Sequence, residues 1–368
     1  MPANSSRSFP PVSAILILTC LFAVDALALV RPLPTHGNLR YGPYKRNVLD
    51  LWVPESDEPV PLVIYFHGGG FKQGGKGLIR PGEVKKALDN GVAIASVQYR
   101  FVHRNGRNDP QRTGIHNSLR DSARALQFLR HNAERYGIDK ERIACYGDSA
   151  GAGTSLWLAV HDDLANPESE DPVLRESTRI LAAGMVHGQF SYDITQWKAE
   201  FSKRFGERER LFESFDAASF YDLDDASFSG EEGEIRRSGV DMRSMLDSDD
   251  PPILMVSRMR DRQPFTIMDF AHHPLHAKIL SERASEVGAT LKTILPHVDP
   301  ADTATLRQNP DIAFLFVLEA VLSPPAIEDE NESETEGEGG TEPSTPILQA
   351  IPVVTEGAEG ATAATNQE

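Results

Sequence analysis

Gly147-Asp148-Ser149-Ala150-Gly151 fits the pattern G-x-S-x-G, which holds a serine between glycines on a sharp strand-to-helix turn. A serine hydroxyl is a weak nucleophile until a base takes its proton, so a histidine is required close by in space. Upstream, His67-Gly68-Gly69-Gly70 closes another apolar run. Residues without side chains let backbone N–H groups approach the oxygen of a tetrahedral intermediate. The amides of Gly69, Gly70 and Ala150 are therefore the expected oxyanion donors. His67 reads as an orienting residue of that loop rather than the base. The helix after Ser149 would also place its positive dipole end beside the developing charge. Both motifs together predict acyl transfer at Ser149.

Rigid elements must hold these two turns. Apolar runs of strand length cover 60–66, 92–99, 142–146, 180–186, 253–256 and 290–295. Continuous apolar strands suit a sheet covered on both faces. Helical periodicity is expected over 118–135, where Leu119, Ala123, Leu126 and Leu129 share a face, and again over 277–287 and 311–321. Strands alternating with helices predict an α/β class: a mostly parallel, doubly wound sheet with helices on both faces. Residues 200–250 are highly charged and read as a variable insertion or cap over the carboxyl edge of the sheet.

The ends of the chain differ from its body. Arg7, the apolar run 12–24 and Ala26-Leu27-Ala28 have the form of a secretory signal over residues 1–28, which predicts an exported protein. That run is too short for a stable membrane span. Thr19 is bulky for the position before a lipidated cysteine, so no anchor is expected at Cys20. Without that segment only Cys145 remains, on an apolar strand pattern where a thiol packs as a small core residue. From Ser323 the chain holds 11 acidic residues and no Lys or Arg, which accounts for most of the net charge of −17. That tail, 323–368, is too polar to fold by burial and is expected to be disordered. The remaining body, 29–322, is mildly acidic, which argues against nucleic acid as a partner.

These motifs resemble those of bacterial lipases and esterases of the α/β-hydrolase superfamily. The similar group carries an HGGG loop and includes hormone-sensitive-lipase-like and feruloyl-esterase-like carboxylesterases. Further similar runs are Tyr41-Gly42-Pro43-Tyr44, Val48-Leu49-Asp50-Leu51-Trp52-Val53-Pro54, Tyr99-Arg100 and Tyr136-Gly137-Ile138-Asp139. The resemblance extends over about residues 40–322. It implies hydrolysis of a small-molecule carboxylic ester through an acyl-enzyme, without a cofactor.

The resemblance also implies the order Ser, Asp, His for the catalytic groups. Asp261, following a strand that opens with Pro251-Pro252, matches the position of the acid, with Asp269 in reserve. His297 is the first candidate base, but Pro296-His297-Val298-Asp299-Pro300 departs from the family's turn. It arrives early and lacks a glycine. His272 and His273 are the alternatives. Together with His276 they form HHPLH, but no supporting carboxylate or cysteine pattern accompanies them, and no metal is expected. The altered histidine turn keeps open a second function, a catalytically impaired protein of this fold that binds a ligand or partner. Intact glycines in both motifs weigh against it.

Overall fold

The computed structural model describes residues 30–102, 113–206 and 217–323. The signal-like segment 1–28, the tail from 324, His103 and residues 207–216 of the charged region lie outside the described residues. Eight strands form one sheet in the order β1-β2-β4-β3-β5-β6-β7-β8. They are β1 (His36–Arg40), β2 (Val48–Trp52), β3 (Val60–Phe66), β4 (Ala93–Val97), β5 (Ile138–Asp148), β6 (Ala183–Val186), β7 (Ile253–Val256) and β8 (Leu291–Ile294). β1–β2 and β2–β4 pair antiparallel, and every other pair is parallel. The main helices are α1 (Pro81–Asp89), α2 (Ile115–His131), α3 (Ala150–Val160), α4 (Ile194–Phe205) and α5 (Glu231–Ser238). They continue with α6 (Ile267–Ala271), α7 (Leu275–Val287), α8 (Pro300–Gln308) and α9 (Ile312–Leu322). None of the described helices is long and apolar enough to cross a membrane.

β3 is buried along its whole length, and its side chains alternate between two cores. Leu62, Ile64 and Phe66 join α2, α3 and α7 on one face, through Leu119, Leu126, Leu156 and Leu280. Val63 and Tyr65 face α1 and α9, through Val84, Ala87, Phe314, Phe316 and Val317. An apolar run without polar alternation is what a strand with two covered faces requires.

Boundaries differ from the sequence pattern where pairing overrides it. β5 starts at Ile138 because Ile138 pairs with Val60, and an irregularity then resets the register before Leu62 meets Ile143. The helical run expected over 118–135 divides. α2 ends at His131, and a separate turn, Ala133–Tyr136, stops at Gly137, whose φ of 65° is left-handed. Between β6 and β7 the charged region is helical and also supplies core. Tyr221, Val240, Met242 and Leu246 are fully buried, while the charges of α5 lie outward. Three glutamates open α5 and two arginines close it, matching the helix dipole.

Candidate active site

β5 ends at Asp148 and α3 begins at Ala150, so Ser149 occupies the single residue of the turn. Its backbone, at φ 52° and ψ −114°, lies in a region that non-glycine residues rarely adopt. Holding it there costs about 1–3 kcal/mol, supplied by the surrounding packing. The glycines are required by contact. A Cβ at Gly151 would come within 1.9 Å of the Phe66 carbonyl oxygen, and one at Gly147 within 2.5 Å of the same oxygen. α3 can approach β3 this closely only with both positions bare.

The HGGG loop lies directly beside the serine. A Cβ at Gly68 would be 3.4 Å from Ser149 Cβ. Gly69 and Gly70 have φ of 119° and 59°, conformations that free their amides from the strand direction. The amides of Gly69, Gly70 and Ala150 donate to no carbonyl among the described residues. His67 is fully buried, stacks on Tyr99, and its Nδ1 lies 2.8 Å from the Gly68 carbonyl. Tyr99 in turn donates to the His67 carbonyl at 2.6 Å. Burial lowers the His67 pKa to about 4, so the ring is a neutral brace for the loop.

The histidine brought to the serine is His272. Its Nε2 lies 2.7 Å from Ser149 Oγ. The side chain leaves the C-terminal end of α6, whose N-terminus carries a reciprocal cap between Thr266 and Asp269. Ser257, one residue past β7, donates to the His272 carbonyl at 3.0 Å. Gln189 donates to the Ala271 carbonyl at 2.8 Å and also holds His187 through its carbonyl. His272 therefore reaches Ser149 from a short helix clamped to the ends of β6 and β7. Burial lowers its pKa, favouring the neutral ring that a base needs.

The first candidate base, His297, is corrected by this geometry. Val298 and Asp299 both return hydrogen bonds to the Leu295 carbonyl, and Pro300 at once opens α8. This tight turn leaves His297 exposed, at a separate small cavity. Asp261 is likewise absent from the serine's histidine. It pairs with Arg204 at 2.8 Å and Lys278 at 2.7 Å, and its other oxygen lies 3.7 Å from His273 Nε2. It ties α4 to α7. Asp269, the reserve acid, caps α6.

His273 donates through Nε2 to the Arg262 carbonyl and accepts at Nδ1 from the Leu275 amide, so both ring nitrogens are used. His276 is fully buried among Phe190, Trp197 and Phe201, with its pKa driven to about 3 by burial. HHPLH thus separates into one histidine at the serine and two in the packing. No group of described residues has the composition and placement to hold a metal ion.

Two features escaped sequence reasoning. No carboxylate among the described residues lies within ion-pair distance of His272. Its ring neighbour is instead His187, at 5.4 Å between centroids, held at φ 53° just beyond β6. The His187 pKa falls to about 4, chiefly through burial and then through His272. The signal for His272 was the capping pair Thr266-x-x-Asp269, which marks a short helix ending at that histidine. No sequence signal distinguishes His187. A cavity of about 720 Å³ opens at the opposite edge of the sheet among Asp162, Asp247, Asp249 and Asp250, away from Ser149.

An eight-stranded sheet in this order, with a strained serine between strand and helix, defines the α/β-hydrolase fold. The chain has the α/β-hydrolase fold, and its sequence is similar to esterases. Residues 49–210 match the BD-FAE family model. The chain is similar to the carboxylesterase NlhH of Mycobacterium tuberculosis, at 35% identity over 29% of this chain and 31% of that protein. It is also similar to the probable isoprenylcysteine alpha-carbonyl methylesterase ICMEL1 of Oryza sativa, at 28% identity over 45% of this chain and 36% of that one. The alignments thus span about a third of the length of these curated relatives. Among solved structures, the acetyl ester-xyloside bifunctional hydrolase of Caldicellulosiruptor lactoaceticus shares the fold. Its TM-score is 0.53 and its identity 16%, over 77% of this chain and 96% of that one.

Proposed function

We propose that the protein is a serine carboxylesterase acting through an acyl-enzyme at Ser149. His272 Nε2 accepts the Oγ proton as Oγ attacks the ester carbonyl carbon, and the amides of Gly69, Gly70 and Ala150 receive the resulting oxyanion. The imidazolium then protonates the departing alkoxide. Water attacks the acyl-enzyme with His272 again as base, which releases the acid and restores Ser149. The observation that carries this reading is the 2.7 Å contact between Ser149 Oγ and His272 Nε2. The bond requires the tautomer with its proton on Nδ1.

A fluorophosphonate probe and a short-chain aryl ester test it. Wild type should be labelled and Ser149→Ala should not, while His272→Ala should lose about 10²–10⁴ in kcat and His297→Ala very little. Equal labelling of wild type and Ser149→Ala would sink the proposal. A second reading, ligand binding without turnover, draws on the lack of a carboxylate beside His272 among the described residues. An unlabelled wild type inert across a broad ester panel would favour it.

We also infer that the protein is exported, on the strength of Arg7, the apolar run 12–24 and Ala26-Leu27-Ala28. A mature N-terminus just after Ala28 is the expected result of sequencing the secreted protein. The small helices within 200–250 act in this proposal as a cap over the carboxyl edge.

A further inference from the structure

Past the end of β7 lies a small cavity of about 170 Å³ lined by Arg258, Met259, Arg260, Arg262, Asp269 and His297. Three of its six walls are arginines, in a chain whose net charge is −17. The only carboxylate, Asp269, is already engaged by the Phe265 and Thr266 amides and the α6 cap. Arg260 and Arg262 are exposed and form no ion pair within 4.0 Å among the described residues. Arg258 donates to the Pro310 carbonyl, yet its Nε is shielded from solvent and has no acceptor among the described residues. A buried charged donor without an acceptor is costly unless an anion arrives to satisfy it.

Two walls of the cavity adjoin in the chain the residues that position His272. Arg258 follows Ser257, which holds the His272 carbonyl, and Asp269 belongs to the helix that ends at His272. Burial raises the pKa of Asp148, the residue before the nucleophile, and Arg80, the Tyr65 hydroxyl and then Arg258 oppose that rise. Neighbouring strands are about 4.8 Å apart, and only β6 separates β5 from β7, so the backbone at the end of β7, just before Arg258, stands about 10 Å from that at the end of β5, just before Ser149. At roughly 30 Å³ per water the cavity has room for five or six water molecules, enough for a carboxylate and its residual hydration but not for a whole ligand.

We propose that this cavity is an anion subsite, and that the preferred substrates are esters carrying a free carboxylate about 10 Å from the scissile carbonyl. The inference rests on the reading of Ser149 as the nucleophile. Arginine suits the task because its planar fork can donate two parallel hydrogen bonds to one carboxylate. The exposed Phe265, whose ring lies 5.7 Å from the Arg262 guanidinium, offers apolar surface to the segment joining the two ends of the substrate.

The test compares monoaryl esters of succinate, adipate, suberate and sebacate with the corresponding aryl methyl diesters, which are neutral. Each pair gives a ratio of kcat/KM for the charged over the neutral ester. The ratio should peak at about tenfold or more at one of the longer chains, and should shrink as salt is added. Arg260→Gln is the main variant because its side chain is exposed and unpaired; its ratio should fall to near one. Arg258→Gln should act in the same direction, and free suberate should compete against a neutral ester in wild type. A ratio at or below one at every length, or a ratio unchanged in Arg260→Gln, overturns the subsite. Ser149-dependent hydrolysis of the neutral esters with no charge preference defeats this inference alone. Loss of Ser149 dependence defeats the reading beneath it.

Discussion

Ser149 and His272 meet at 2.7 Å, but the residue expected to steady the imidazole is elsewhere. Asp261 serves two cations and lies against His273, one position along the chain from His272. The sign of the pH effect follows from His272 itself. Only its neutral form can take the serine proton, and burial lowers its pKa from the ordinary 6.5. Activity should therefore persist below that pH, with the acidic limb of kcat/KM centred under 6.5. Asp261→Asn should leave the limb in place. It should cost about 1–2 kcal/mol in denaturant unfolding through the lost contacts to Lys278 and Arg204. Where a carboxylate does face the base, the same exchange drops kcat by about 10⁴. A collapse of that size in the pH profile would return Asp261 to the catalytic unit.

At the scale of elements, the turn depends on how closely α3 can lie against β3. The 1.9 Å approach between a Cβ at Gly151 and the Phe66 oxygen leaves no room for even one methyl group, and the obstacle is backbone. Gly151→Ala should destabilise the fold by about 3 kcal/mol or more and displace Ser149 from the loop. A variant with an unchanged denaturation midpoint and full activity would show that the helix shifts freely. The elbow and the glycine loop were legible in sequence because local chemistry dictates them. Glycines mark positions where any Cβ would strike backbone. His272 was legible only as one of three candidates, because its placement depends on α6 being clamped by Gln189 and Ser257 from distant strands. The insertion's buried Tyr221 and Met242 were hidden by the charge density around them.

For the whole molecule, one buried acid couples stability to pH. Glu83 on α1 accepts from Tyr146 of β5 and from the Arg80 amide, while Arg80 also pairs with Asp311 ahead of α9. Burial raises the Glu83 pKa from 4.5 to about 7, against the opposing pull of Arg80. A folded-state pKa above the unfolded one means that the native state binds the extra proton. The resulting stability is complete below 4.5 and is lost as pH rises through about 7. Glu83→Gln keeps an acceptor for Tyr146 but carries no charge. Its stability relative to wild type should therefore improve by up to about 3 kcal/mol between mildly acidic and mildly alkaline pH. Thermal unfolding across that range checks it, and a constant difference would refute the assignment.

By itself the sequence determined the alternation of strands and helices, the serine on its elbow and the amides of the glycine loop. These follow from backbone sterics and from apolar runs that must be covered on both sides. Tertiary structure alone decided which histidine lies beside the serine and where the carboxylate goes. Both depend on loops crossing the carboxyl edge of the sheet, whose course is fixed by contacts between residues far apart in the chain. The turn after β8 closes too early to carry His297 inward, and α6 delivers His272 in its place.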